Sequence, residues 1–357
     1  MLPKNKKYIA PLLVMVFALL AAGLVFAARL YQFGPGSVDD KKDTSQNIKT
    51  FSSLNGTLVD EEKSKIRPLA VMIENHSDSR PQSGLADAEI IYEALAEGGI
   101  TRFVAIFQTS EAKSIGPVRS ARDYFASIAE EYAAVYAHVG GSDEVLAQLN
   151  KKYYKNVTDL NEYFNGTYFE RIKSRPAPHN VYTSTEKIAQ FMKDKNINDT
   201  ADITGWMFKD QSPTVENRTA ENISINFSQS PYKVGYSYDL ASGLYSRLQA
   251  GTPHLDSASK KQLTAKTVIV QFVSVSAIAG DEKDRIDLDL SGTGEALIFQ
   301  DGEITKAAWK KIGRQRTIYT DLAGQPIQFN RGQIWVELVP NDAPESRVAW
   351  KPLTPKQ

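Results

Sequence analysis

The sequence predicts an α+β protein in three parts: an N-terminal anchor helix, a mixed α/β domain with a β-hairpin-containing sheet, then a β-rich C-terminal domain. Three observations carry that reading. The run 9–28 is apolar and carries no charge. Two alternating runs, 89–97 and 101–108, flank Gly98-Gly99, a signal for a tight hairpin with positive φ angles. From 223 to 339, short apolar or alternating runs recur between turn residues, the spacing of a β-rich unit.

Composition bounds the rest. At 357 residues, the chain is long enough for about two domains, here 67–205 and 206–355. Lys+Arg and Asp+Glu both count 42, and that balance argues against nucleic acid as a partner, which calls for a basic surface. Cysteine is absent, which excludes disulfides, thiolate metal sites and a cysteine nucleophile.

Lys4, Lys6 and Lys7 precede the apolar run. About 20 apolar residues span a bilayer as a helix, and lysines on the N-terminal side place that end in the cytoplasm. Residues 1–28 are therefore expected to be an uncleaved transmembrane anchor, single-pass in the cell membrane, with the later domains outside. A cleaved signal peptide is the alternative, with Val25-Phe26-Ala27 as a cleavage pattern, although the run exceeds a usual signal core of about 7–15 residues. Residues 29–66 turn polar and are expected to form a flexible tether.

The first domain opens with a buried strand over 69–73, leading to Glu74-Asn75-His76, and then loop chemistry over 77–87. A two-residue turn at Gly98-Gly99 sets Leu95 opposite Arg102 and Glu93 opposite Val104. Alternation then puts Glu93, Glu97 and Arg102 on one face, and Tyr92, Ala94, Phe103 and Ala105 on the other. Ser120 and Asp123 have the spacing of a capping box, with a helix body over 121–132 and Arg119 and Arg122 at its mouth. A strand over 133–139 runs through His138, and Ser142 caps a helix to about residue 150. The Gly140-Gly141 turn between them reads as a strand-to-helix corner, whose free N–H groups suit an anion. Residues 151–182 are aromatic and irregular, a helix over 184–193 closes the domain, and 195–222 form a polar link.

The second domain is written as strands over 223–227, 233–239, 243–249 and 267–275. Asp301-Gly302 marks a hairpin between 296–300 and 303–309, a loop through Gly324 separates two further strands, and 332–339 is the last.

Several stretches carry a family resemblance. Arg67-Pro-Leu-Ala-Val-Met-Ile-Glu-Asn75, Arg80-Pro-Gln82, Tyr92-Glu93, Glu97-Gly-Gly-Ile-Thr-Arg102 and Gly116-Pro-Val-Arg-Ser-Ala-Arg122 resemble the YerB family. So do His138-Val-Gly-Gly-Ser142, Pro178-His-Asn180, Tyr238-Asp239, Tyr245-Ser-Arg247 and Pro253-His254 with Asp256. The resemblance covers nearly everything after residue 66. It implies a bacterial envelope protein, with an N-terminal domain of unknown function and a distinct C-terminal partner domain. The name-giving member resembles a lipoprotein precursor. This chain has no cysteine to lipidate, so a transmembrane anchor stands in its place. No catalytic mechanism comes with the resemblance.

The chemistry is therefore weighed from the residues. Arg80, Glu93, Glu97, Arg102, Arg119, Arg122, His138 and His179 form the candidate binding set. The arginines suit forked clamping of carboxylate or phosphate, and the aromatics of 153–169 offer flat platforms for sugar faces. The first reading is thus a module that binds a cell-wall polymer or an envelope protein; the plainer reading of Glu93, Glu97 and Arg102 is cross-strand ion pairing. A wall hydrolase or lyase is the second reading. Glu93 and Glu97 would lie about 13 Å apart on one strand face, beyond the roughly 5–10 Å of a working carboxylate pair, so Glu74 or Asp87 would have to complete it. A protein-interaction scaffold for envelope assembly is the third. No cofactor is expected. No metal is either, because His76, His138, His179 and His254 fit no close-spaced ligand pattern.

Overall fold

The computed structural model describes residues 48–210 and 218–352. The expected anchor over 1–28 lies outside them, and no helix among the described residues is long and apolar enough to cross a membrane. Ile48–Gln357 forms one compact unit.

Part of the expected tether is folded. Strands β1 (Lys49–Phe51) and β2 (Leu58–Asp60) pair as a hairpin, and Leu54 between them is fully buried. Arg316 donates to Ser53 O and Gly332 N–H to Asn55 O, which ties the segment to the C-terminal half. Five strands of the first half follow: β3 (Leu69–Glu74), β4 (Ile90–Leu95), β5 (Thr101–Phe107), β6 (Val135–His138) and β7 (Thr158–Asn161). Helices α1 (Asp123–Glu131), α2 (Asp143–Asn150) and α3 (Thr185–Asp194) lie among and after them. The second half gives β8 (Asn222–Asn226), β9 (Lys233–Asp239), β10 (Leu244–Gln249), β11 (Thr267–Ala277) and β12 (Ile286–Asp289). It continues with β13 (Gly292–Gln300), β14 (Glu303–Lys311), β15 (Ile318–Asp321), β16 (Ile334–Pro340) and β17 (Val348–Lys351).

An eleven-stranded sheet runs β15-β14-β13-β11-β16-β4-β5-β3-β6-β7, with β12 added on β11. The two sequence halves therefore share a sheet, joined where β16 lies parallel to β4. A six-stranded sheet is built from β10, β9, β8, β17 and two short strands, Thr252–Pro253 and Thr264–Ala265. One face of the large sheet, with Val71, Ile91, Phe103 and Trp335, packs on the small sheet and α3. The opposite face, with Met72, Tyr92, Val104 and Val336, packs on α1 and α2.

Every residue of β3, β4, β5 and β16 is buried. Such central strands have no solvent face, and any charge in them must find a partner inside the protein.

Two expectations are corrected here. The hairpin connection is longer than two residues: Ala96 N–H donates to Ile100 O at 2.7 Å, and Ile100 N–H to Glu97 O at 3.2 Å. Gly98 and Gly99 do take positive φ, 63° and 72°, which only glycine adopts cheaply. The longer loop pairs Leu95 with Thr101 and Glu93 with Phe103, a slip of one residue, and a slip of one puts Glu93 and Arg102 on opposite faces. The capping box also fails. Ala121 pairs with Gly141 in an extended bridge, so α1 cannot start at Ser120; it begins after Arg122, without a side-chain cap. The Ser142 cap holds, accepting from Val145 N–H, and Ser184 caps α3 the same way through Lys187 N–H.

Candidate functional site

The charged residues gather where β3 and β5 meet the loop before α1. Glu74 and Arg102 are cross-strand partners on the helix-covered face. Arg102 Nη1 donates to Glu97 Oε2 at 3.2 Å and its Nη2 to Glu97 Oε1, while its Nε lies 3.7 Å from Glu74 Oε1. Arg122 Nη2 donates to Glu97 Oε2 at 2.7 Å, and Arg119 Nε donates to Glu74 Oε2. Three arginines thus surround two carboxylates. Burial opposes ionisation of Glu74, but Arg102 and Arg119 outweigh it and hold the carboxyl below the usual range. Glu97 goes further: against burial, Arg102 and Arg122 hold it at about 2.

The cluster is closed on one side and open on the other. Arg102 is buried, whereas Arg119 is 23% exposed. Among the described residues, the Arg119 side chain has a hydrogen-bond partner only at Nε, which leaves its two terminal NH₂ groups at the rim. The exposed ring of Tyr163 lies over Gly140, where an added Cβ would come within 2.7 Å of it. Gly140 O in turn accepts from Ala121 N–H, beside Arg122. Tyr163 therefore stands over the turn that bonds the Ala121 backbone, next to Arg122 in the chain, and its neighbour Phe164 is 79% exposed.

Glu93 belongs to a second network, on the opposite face and out of solvent. It accepts from Thr101 Oγ1 (2.5 Å), Asn75 Nδ2 (3.1 Å) and Arg247 Nη2. Its Cα partner on β16 is Glu337, which accepts from the Tyr236 hydroxyl. Burial, then the adjacent Glu93, push Glu337 well above the carboxylate range. Arg247, which donates to Glu93, sets a guanidinium beside the two carboxyls.

Arg247 lies 4.4 Å from the Trp335 ring centre and donates to Tyr236 Oη (3.2 Å), Gln249 Oε1 (3.0 Å) and His254 Nδ1. Burial, Arg247 and Arg80 push His254 far below its ordinary value. It is neutral, and its tautomer follows: Nδ1 accepts from Arg247, so Nε2–H donates to Gln82 Oε1 at 2.8 Å. Gln82 passes the chain to Asn75 Oδ1, which also accepts from Arg80 Nε at 3.0 Å.

The structure thus brings Glu97, Arg102, Arg119 and Arg122 together and ties Arg80 and Glu93 into the buried network, with Glu74-Asn75 bridging the two. His138 adjoins the cluster through the backbone, its neighbour Val139 N–H donating to Arg119 O, but its ring joins none of these ion pairs. It has no exposed surface, and its ring meets Gly140 O at 2.7 Å and Asp159 Oδ1 at 2.6 Å, clamping the ends of β6 and β7. His179 stacks on His76, with ring centres 5.3 Å apart and planes 15° apart. Burial lowers its proton affinity, while Glu74 raises it and Arg119 lowers it. The Gly140-Gly141 corner is not open to an anion at Gly140, whose N–H is taken by Asn161 Oδ1.

Sequence reasoning left Asn75, Tyr236, Arg247, His254 and Glu337 out of the candidate set. One signal was present: Glu337 is the sole charge in a strand that is otherwise apolar, 334–340.

Comparison with known proteins places this architecture. Residues 54–198 match the N-terminal domain, and 223–336 the C-terminal domain, of the family described as "Protein of unknown function (DUF3048)". YerB of Bacillus subtilis (strain 168), named provisionally as a lipoprotein, is 31% identical over 305 residues, 85% of this chain and 89% of the relative. The crystal structure of Bacillus subtilis YerB superposes with a TM-score of 0.76 at 30% identity, covering 84% of this chain and 99% of that one. Two adjoining family matches, a relative of this identity and a shared fold lead to one conclusion: the chain belongs to the YerB-like DUF3048 family.

Proposed function

We propose that this protein is held at the bacterial cell membrane by residues 1–28, and that its folded part, outside the cytoplasm, binds an anionic cell-envelope polymer. The observation that carries the binding reading is Arg119: Glu74 fixes its guanidinium through Nε, and two NH₂ groups remain to fork onto a carboxylate or phosphate. The excess of arginine over carboxylate in the cluster favours an anion, and exposed Tyr163 and Phe164 add flat apolar surface for sugar rings. The envelope location is supported by the relative's description as a lipoprotein and by the apolar run 9–28, which supplies an anchor where this chain has no cysteine.

A hydrolase or lyase built on Glu93 is less well supported. Glu93 and Glu337 lie opposite each other on adjacent strands, but both are 0% exposed, and a polymer cannot reach a carboxyl with no surface. The test is sedimentation of residues 30–357 with purified sacculi, with released fragments measured in the same tube. Binding weakened about tenfold or more by Arg119→Ala, the loss of one charge-assisted contact of roughly 1.5–3 kcal/mol, supports the proposal. Fragments whose release vanishes in Glu93→Gln would replace it with an enzyme. No sedimentation would leave a protein partner as the ligand.

A further inference from the structure

We infer that His76, Asp78 and His179 form a binding site for a divalent transition-metal ion. The inference does not depend on polymer binding. Sequence spacing gave no hint of it, because the third ligand comes from a distant loop. In the fold, one donor atom from each residue lies within 4.8 Å of the other two. At the widest, an equilateral triangle of that side puts its centre about 2.8 Å from each donor, so the donors must move inward by about 0.7 Å to reach the ~2.0–2.2 Å of zinc–nitrogen and zinc–oxygen bonds, and the stacked imidazoles, 15° from parallel, must turn so that both lone pairs meet the ion. Two imidazoles and one carboxylate are a donor set suited to zinc and its first-row neighbours, and three protein ligands leave a position open for water.

Two further observations point to a ligand rather than to a chance meeting of polar side chains. His179 Nδ1 is buried without a hydrogen-bond partner, whereas buried polar atoms are ordinarily paired. The two loops are also held in place by bonds that owe nothing to the histidine contact. Glu74 Oε1 accepts from the backbone N–H groups of Asn75 (3.0 Å) and His76 (3.2 Å), fixing the first turn. Arg175, from the loop of His179, donates to Pro81 O at 2.7 Å and to Asp78 O at 3.5 Å, which pins the second loop against the first.

The backbones of both loops are therefore held in place before any ion arrives, and only the three side chains have to reorient. Asp78, whose side chain is 73% exposed, is free to swing. The interaction given up is weak: Asp78 N–H donates to His76 Nδ1 at 3.2 Å. On capture, either that nitrogen turns to the ion, or its lone pair takes the ring proton and Nε2 ligates instead.

The experiment uses the untagged full-length chain in detergent, stripped with chelator and titrated with Zn²⁺ by calorimetry and with Co²⁺ by visible absorption. One equivalent is expected to bind, with a Co²⁺ ligand-field spectrum. His179→Ala and His76→Gln are each expected to weaken it at least ~100-fold, beyond the roughly 10–100-fold typical of supporting residues. Both side chains are only partly buried, so circular dichroism should show both variants folded. Should either variant misfold, Asp78→Asn, at an exposed position, serves in its place. Absence of stoichiometric binding by the unaltered chain would overturn the inference, as would binding that survives in the folded variants.

Discussion

Replacing Glu97 with glutamine isolates the charge cluster. The folded protein holds this carboxyl at about 2, against an ordinary 4.5. At about 1.4 kcal/mol per pH unit, the ionised group contributes about 3 kcal/mol at neutral pH, an upper figure because the side chain is 23% exposed and water screens part of it. The sign follows from the depressed value. The contribution is fully present above about 4.5 and is lost as pH falls from there toward 2. Glu97→Gln should therefore lower the unfolding free energy by about 2–3 kcal/mol at pH 7, and the gap to the parent should close as pH drops through that window. Arg102 keeps Glu74 at 3.7 Å, and Arg122 can take up water at its partly exposed end, so neither arginine is stranded. Urea unfolding followed by tryptophan fluorescence at pH 7, 5, 4 and 3 measures the gap directly. A gap that does not change with pH, or one below about 0.5 kcal/mol at pH 7, as for an exposed surface pair, would refute the reasoning.

The remaining predictions use the same unfolding assay together with sacculus sedimentation. Arg247→Met and Glu93→Gln should each cost about 3–5 kcal/mol, because each leaves a buried charge without its partner. Glu337→Gln should stay within about 1 kcal/mol of the parent or stabilise it, since glutamine copies the neutral carboxyl; a loss as large as that of Glu93→Gln would mean Glu337 is the ionised member. His138→Ala should cost about 1–3 kcal/mol by freeing buried Gly140 O and the partly exposed Asp159 carboxylate and leave polymer sedimentation unchanged, and weaker sedimentation by a folded variant would move the site toward β6. Tyr163→Ala should weaken sedimentation at little cost in stability, and an unchanged affinity would remove the aromatics from the binding surface.

How far the sequence could be read depended on whether a signal was local. The cap at Ser142, the strand expected over 69–73 and the hairpin at Asp301-Gly302 are set by neighbours in the chain, and they appear as expected. The glycine pair at 98–99 correctly announced positive φ but not loop length, and that single residue of slip moved Glu93 away from Arg102. Ser120 failed as a cap because its neighbour Ala121 bonds to a segment that local pattern cannot see. Joining β16 to β4 was equally hidden: parallel pairing between distant strands leaves no trace in spacing, so Glu337 and Arg247 could not be placed beside Glu93. The two histidines of the inferred metal site met for the same reason, through loops whose contacts are tertiary.

The seam between β4 and β16 also sets an order of events during synthesis. β4 leaves the ribosome long before Ile334 does, and until β16 arrives its outer row of amide and carbonyl groups has no neighbour. An unpaired apolar edge of that kind invites the wrong strand, from another chain or from a later hairpin of the same one. Long-range parallel pairing is also slow to form. A truncation that ends before β16 would thus not yield a smaller working protein. It would yield a sticky one, with the first half permanently caught in the state that the intact chain passes through only briefly.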